Sequence, residues 1–387
     1  MGNNFTVIEN AHIVLEQGIL WDSMLLIADD RIQCYGSTKE MENKIPADVL
    51  RIDAHGAYVG PGFVDIHVHE GGGYATYFQP KEAAEYFLRH GETTILATPS
   101  YDLNFEQFLK AIETVKGNLE NTPTIRGLYL EGPYLNPDYG SHSYANPWRG
   151  PIDRDQFRAL VDAAGSVAKV WTVAPEREGL MPFLEYARKV NPDVIFAVGH
   201  SEATPTQIRA MGKYRPKLQT HSMNATGRLP VFGGTRGYGP DEYFMKEPGT
   251  YAELISDSLA IHVNPDIQQL LLHNKGVDHT ILITDSTVYY EPSPPELAHV
   301  KDLNFDAEGT IAGSKMTMDQ ACKNIMTHTN CGIAQAFLMA SRNPARAVGL
   351  DHEVGSIEPG KRADLVFVDD RFNVHQVMLG GKLCDFQ

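Results

Sequence analysis

A chain of 387 residues, 42% hydrophobic and 21% charged, is globular and long enough to bury a large core. Its 33 Lys and Arg stand against 49 Asp and Glu, a formal charge of −16. A surface this acidic argues against nucleic acid or an anionic membrane as a general partner, while leaving room for a local basic pocket. Cys34, Cys322, Cys331 and Cys384 form no CxxC pair, so neither a disulfide framework nor a thiolate metal site is expected. No apolar run approaches a membrane span, and no basic stretch followed by an apolar core marks an export signal. The expectation is a cytoplasmic protein in a reducing compartment.

Residues 5–60 are short apolar runs broken by turns, and residues 355–387 repeat the pattern. Both read as β-strands. Between them the rhythm changes. Eight β-rich runs, at 62–69, 93–99, 125–131, 169–175, 194–200, 217–221, 258–263 and 280–286, alternate with longer segments. Several of those segments, such as KEAAEYFLRHG, FEQFLKAIETVKGNL and DRDQFRALVDAAG, carry the apolar period of amphipathic helices. Eight β/α units predict an α/β fold: a (β/α)8 TIM-type barrel over 61–355, with a small β-domain formed from both chain termini, 1–60 and 356–387.

In such a barrel the chemistry collects at the C-terminal ends of the strands. The first run ends in His67-Val-His69, the third in Glu131, the fifth in His200, the sixth in His221 and the eighth in Asp285; the seventh carries His262. The period of two places His67 and His69 on one face of their strand. Each residue alone also has an ordinary reading, as a hydrogen-bonded core histidine, a loop glutamate or a helix-capping aspartate. Together, at the ends of the expected strands, they point to a divalent metal. Imidazole and carboxylate donors without thiolate suit zinc or iron(II), one or two ions per chain. Asp285 beside such a set suits a general base, which takes a proton from water and delivers it to a leaving amine.

The segments VGPGFVDIHVHEGGG, LYLEGPYLNP, VGHSEAT, THSMNATG, SDSLAIHV, ITDS and IAGSKMTMDQ resemble the N-acetylglucosamine-6-phosphate deacetylase family of the amidohydrolase superfamily, over residues 55–370. The resemblance implies deacetylation of an N-acetylated amino sugar, most simply its 6-phosphate, to the free amine and acetate. It implies Glu131, His200 and His221 as metal ligands, with His67 and His69 as the pair present in members able to hold a second ion. It further implies Asp285 as general acid/base, His142 as the residue polarising the acetyl carbonyl, His262 as a sugar contact, and Asn224-Ala225 as the phosphate-receiving segment. A homodimer is implied as well. The chain departs from the family after Ala225: the run TGRLPVFGGTRGYGPDEYFMKEPG is long and rich in Gly and aromatics, and Arg228 and Arg236 are the candidate phosphate partners in it. Two other readings stay open here. One is a barrel of the same type acting on another N-acyl or cyclic amide substrate; the other is a non-catalytic sugar-binding barrel.

Overall fold

The computed structural model describes residues 4–227, 232–235, 237–287 and 293–386. Eight parallel strands pair in chain order: Phe63–Val68, Glu92–Ala97, Ile125–Glu131, Ala168–Val173, Ile195–Val198, Leu218–Gln219, Tyr251–Leu254 and Thr280–Leu282. They curl into a nearly closed barrel. At the seam between the last strand and the first, Asp285 N–H donates to the His67 carbonyl at 3.0 Å. The His69 and Glu70 N–H groups both donate to the Ser286 carbonyl at 2.9 Å. Below them the Asp65 carboxylate accepts from both N–H and hydroxyl of Thr284.

The helical segments form because each buries one stripe. Helix Pro80–Arg89 buries Ala83, Ala84 and Phe87; Phe105–Asn118 buries Phe108, Ala111, Ile112 and Val115; Arg154–Ala164 buries Phe157, Leu160, Val161 and Ala164. These are the three-and-four spacings of an amphipathic helix. The last two start at caps, with Asn104 accepting from Gln107 N–H and Asp153 from the N–H groups of Asp155 and Gln156. Val64, Ile66, Leu96, Tyr129, Val170, Ala197, Leu218 and Ile281, contributed by the barrel strands, pack in one buried cluster.

The two chain ends meet in a second sheet. Phe5–Leu15, Gly18–Ala28, Arg31–Ser37, Leu50–Asp53 and Tyr58–Pro61 join Leu365–Val368, Val374–Leu379 and Lys382–Leu383. The first barrel strand begins two residues after Pro61, so this sheet feeds directly into the barrel. Phe63, Phe337 and Phe372 stack at the junction, their centroids 5.2–6.2 Å apart.

One strand lies elsewhere than the sequence predicts. The seventh barrel strand is Tyr251–Leu254, and residues 258–263 form a loop after it. The cause is Asp257. Its carboxylate accepts the backbone N–H groups of Leu259, Ile261 and His262 at 3.2, 3.0 and 2.9 Å. Three donors that a strand would give to a neighbour are thereby satisfied locally. Leu259 and Ile261, which supply the apolar alternation, point to solvent.

Truncating Phe337 to Ala is expected to cost about 3–5 kcal/mol of unfolding free energy, as for other buried aromatics. A lowered urea midpoint at unchanged slope would show it; an unchanged midpoint would mean the aromatic junction does not hold the terminal sheet to the barrel.

Candidate metal centre

Six of the residues singled out in the sequence converge where the strands end. They form two groups, His67, His69 and Asp285 in one, and Glu131, His200 and His221 in the other. Glu131 faces both. Its Oε1 lies 2.8 Å from His200 Nε2 and 3.0 Å from His221 Nε2, while Oε2 lies 3.2 Å from His69 Nε2 and 3.6 Å from His67 Nε2. Asp285 Oδ1 closes the group at 3.3 Å from His69 and 3.6 Å from His67.

Every imidazole turns Nε2 inward because its Nδ1 is held outside. Nδ1 of His69 meets the Thr98 carbonyl at 2.8 Å, that of His200 the Tyr139 carbonyl at 3.1 Å, and that of His221 the Asn224 carbonyl at 3.3 Å. His67 Nδ1 meets the Glu253 carboxylate at 3.2 Å. An acceptor on Nδ1 places the proton there and leaves the Nε2 lone pair for a cation. His67 Nε2 is buried and has no hydrogen-bond partner. Such a donor set fits a divalent cation. It has imidazole nitrogens with the right tautomer, two carboxylates and a cavity to one side.

The backbone is bent to make this arrangement. His200, His221 and Asp285 hold φ of 44°, 27° and 47°, a region that costs energy outside glycine. Two glycines then bring backbone close. A methyl group on Gly140 (φ 101°) would lie 2.5 Å from His200 Nδ1, and one on Gly313 (φ 60°) would lie 2.5 Å from the Asp285 carbonyl oxygen.

Electrostatics follow from burial among opposite charges. Burial opposes the charge on His69, but Asp285 and Glu131 outweigh it and hold the imidazole up at about 9. His67 is likewise buried, yet Glu131, Glu253 and Asp285 push it well above its ordinary value. Burial would raise the Glu131 and Asp285 carboxyls; the surrounding histidines hold both below the usual carboxylate range. Without a cation the cluster therefore keeps protons in its place.

A cavity of about 180 Å³ opens beside the cluster. His69, Glu131, His200, His221 and Asp285 form its floor; Asn224, Ala225 and His262 line its wall, as does the Thr310–Gly313 segment. His262 Nδ1 is paired with Asp257 at 3.0 Å, and its buried Nε2 has no hydrogen-bond partner. Gly140 and Ser141 line the same cavity, with His142 one residue beyond; the His142 N–H donates to Asp306 at 3.1 Å and its ring sits 5.8 Å from that of Tyr144. Arg228 and Arg236 lie outside the described residues.

Glu253 is the residue that sequence reasoning missed. Fully buried on the seventh strand, it contacts His67 Nδ1, accepts from the Tyr129 hydroxyl at 3.0 Å and from His221 N–H at 3.3 Å. Placing the seventh strand at 258–263 hid it; the YAELI run around it was the available signal. Tyr101 was also missed. Its ring packs 5.0 Å from His200, and no motif marks it.

Comparison with known proteins identifies the family. The amidohydrolase family pattern matches residues 58–384. The chain belongs to the amidohydrolase family. Among curated relatives, it is similar to N-acetylgalactosamine-6-phosphate deacetylase from Escherichia coli O157:H7, 27% identical over 98% of this chain and 99% of that one. It is also similar to N-acetylglucosamine-6-phosphate deacetylase from Bacillus subtilis, 26% identical over 97% of this chain and 96% of the relative. Among solved structures, N-acetyl-D-glucosamine-6-phosphate deacetylase from Mycobacterium smegmatis superposes with a TM-score of 0.80 at 27% identity over 99% of both chains, in a variant bound to N-acetyl-D-glucosamine-6-phosphate. The enzyme from Pasteurella multocida shares the fold, with a TM-score of 0.85 at 24% identity over 98% of this chain and 99% of that one. Like other amidohydrolases, this chain is a hydrolase, and the two triads are its candidate metal sites.

Two measurements test the centre. Because His67 and His69 hold protons above their ordinary values without metal, loading a divalent cation is expected to release protons, and affinity is expected to fall as pH drops below about 9. Titration in weak buffer reads the release; binding without it would show that these imidazoles are not ligands. Glu253→Gln, which leaves His67 less firmly oriented, is expected to lose about 10–100-fold in metal affinity. Unchanged affinity would reduce Glu253 to a packing role.

Proposed function

We propose that this amidohydrolase removes the acetyl group from an N-acetylated amino sugar phosphate, N-acetylglucosamine 6-phosphate above all, giving glucosamine 6-phosphate and acetate. The observation that carries the reading is the ionised Asp285 carboxylate set beside a His/Glu cluster on the floor of a sugar-sized cavity. The named relatives support the substrate class.

Glu131, His200 and His221 would hold one divalent cation, with His67, His69 and Asp285 facing a second, and zinc is the ion we assign. When bound, the cation lowers the pKa of water and polarises the amide carbonyl. Asp285, held as a carboxylate, accepts the proton of the hydrolytic water and returns it to the departing amine. The unpartnered Nε2 of His262 suits a sugar hydroxyl. Asn224 and Ala225, on the cavity wall, suit the phosphate end, with Arg228 or Arg236 as its cationic partner. His142 adjoins the cavity-lining Ser141 and is assigned to the developing oxyanion.

Barrel residues 61–355 carry the chemistry in this proposal, and 1–60 with 356–387 form the supporting β-domain. A homodimer in the cytoplasm completes it. The four cysteines are all free thiols, in keeping with a reducing compartment, and no helix among the described residues is long and apolar enough to cross a membrane.

The test measures acetate release from zinc-loaded protein. Substrates are the 6-phosphates of N-acetylglucosamine and N-acetylgalactosamine, plus unphosphorylated N-acetylglucosamine. Preference for the glucosamine ester is expected; preference for the galacto epimer moves the assignment to that sugar, and activity on none of them removes the acetyl-sugar reading. In the same assay Asp285→Asn is expected to lose about 10²–10⁴-fold in kcat while retaining the cation of the Glu131 group. Full activity would take Asp285 out of the mechanism. His200→Ala is expected to lose that cation, and unchanged metal content would sink the ligand assignment.

A further inference from the structure

The opposite end of the barrel holds a second cavity, of about 420 Å³, at the N-terminal feet of the fifth, sixth and seventh strands. Its charged lining is Arg188, Lys213, Arg215 and Lys217 against Asp193 and Glu247. Four cations facing two anions is unexpected in a chain of net charge −16. Their pairing matters more than their number. Among the described residues no carboxylate comes within ion-pair distance of Arg188, Lys213 or Arg215.

What these cations do touch leaves their charge uncancelled. The Arg188 guanidinium stacks over the Phe196 ring at 5.3 Å, and its Nε is buried without a hydrogen-bond partner. Lys213 Nζ sits 5.0 Å from the Tyr214 ring. A ring face steadies a cation but accepts none of the in-plane N–H donors. Lys217 is occupied differently: it donates to the Arg346 and Ala347 carbonyls at 3.2 and 2.8 Å, and burial lowers its pKa. It anchors the foot of the sixth strand and leaves the other three to meet a ligand.

We propose that this cavity binds a small phosphate-bearing anion, at a site separate from the metal centre. The planar guanidinium of Arg188 carries a fork of N–H donors that suits two phosphate oxygens, and the exposed Lys213 and Arg215 add positive charge beside it. The volume falls in the range of small-ligand pockets. Inorganic phosphate and a phosphate ester share the recognised group, and the experiment separates them.

Zinc-loaded protein would be titrated calorimetrically with inorganic phosphate and, separately, with glucose 6-phosphate, which has no acetamide to hydrolyse. The same titrations would be run on Lys213→Ala/Arg215→Ala, two exposed positions, and on Arg188→Gln. At least one probe is expected to bind the wild type at millimolar strength or better, at a site weakened about tenfold or more in both variants. The variants are expected to keep the wild-type melting temperature and their kcat and KM on the acetylated sugar phosphate. Binding of phosphate alone assigns the site to the free ion, and tighter binding of the ester assigns it to phosphorylated metabolites. Equal stoichiometry and affinity in wild type and variants, or no binding of either probe, overturns the proposal.

Discussion

The geometry of the site depends on one carboxylate. Glu131 ends the third strand with its two oxygens facing different pairs of imidazoles, His200 and His221 on one side and His67 and His69 on the other. A buried carboxylate without partners is expensive, and so is a crowd of buried imidazoles without an anion. Each cost is offset only by the other, or by a metal that replaces the shared protons. Four strands must therefore end at matching heights, and the seam bonds from Asp285 and Ser286 to the first strand bring the eighth into the same layer. Barrel closure and assembly of the cluster are in this sense a single requirement.

The strain at the strand ends has the same origin. An extended residue projects its side chain sideways from the barrel wall; a positive φ at His200, His221 and Asp285 re-aims it into the cavity. The cost is met by hydrogen bonds that tie each turn down. The His200 ring is held by the Tyr139 carbonyl on a loop that passes over it at Gly140, and Asp285 is clamped by the Gly313–Ser314 backbone, with Ser314 N–H donating to its carbonyl at 2.9 Å. The outward Nδ1 contacts then fix each tautomer. The cluster is thus oriented before any cation arrives, so binding energy need not be spent on ordering it.

How much of this was legible in the sequence follows from which forces are local. The HxH pair, Glu131 at the end of IRGLYLE and Asp285 at the end of ILITDS could be read because alternation and strand termination are local signals. Barrel class could be read from the β/α rhythm. The seventh strand could not. SLAIHV has a better apolar alternation than YAEL, and only the capture of three N–H groups by Asp257 turns it into a loop. That error concealed Glu253, a buried acid whose partners, Tyr129, His67 and the His221 amide, come from three other strands. Side chains that act across the barrel leave no trace at a fixed sequence spacing. Gly140 and Tyr101 escaped for the same reason.

The two ends of the strands divide the electrostatics of the molecule. At the C-terminal ends, anionic and imidazole groups are packed so closely that they invite a cation. At the N-terminal ends of the fifth to seventh strands, Arg188, Lys213 and Arg215 line a cavity without an ion-pair partner among the described residues. The segment around the sixth strand links them within five residues, from Lys217 just before Leu218 to His221 two residues after Gln219. Because Lys217 is tied to the carbonyls of the Asn343–Ala347 helix while His221 is tied to Glu131, that strand is held at both ends by charge. A net charge of −16 describes neither end, since an acidic average allows one focused cationic cavity as readily as one focused cation-binding cluster.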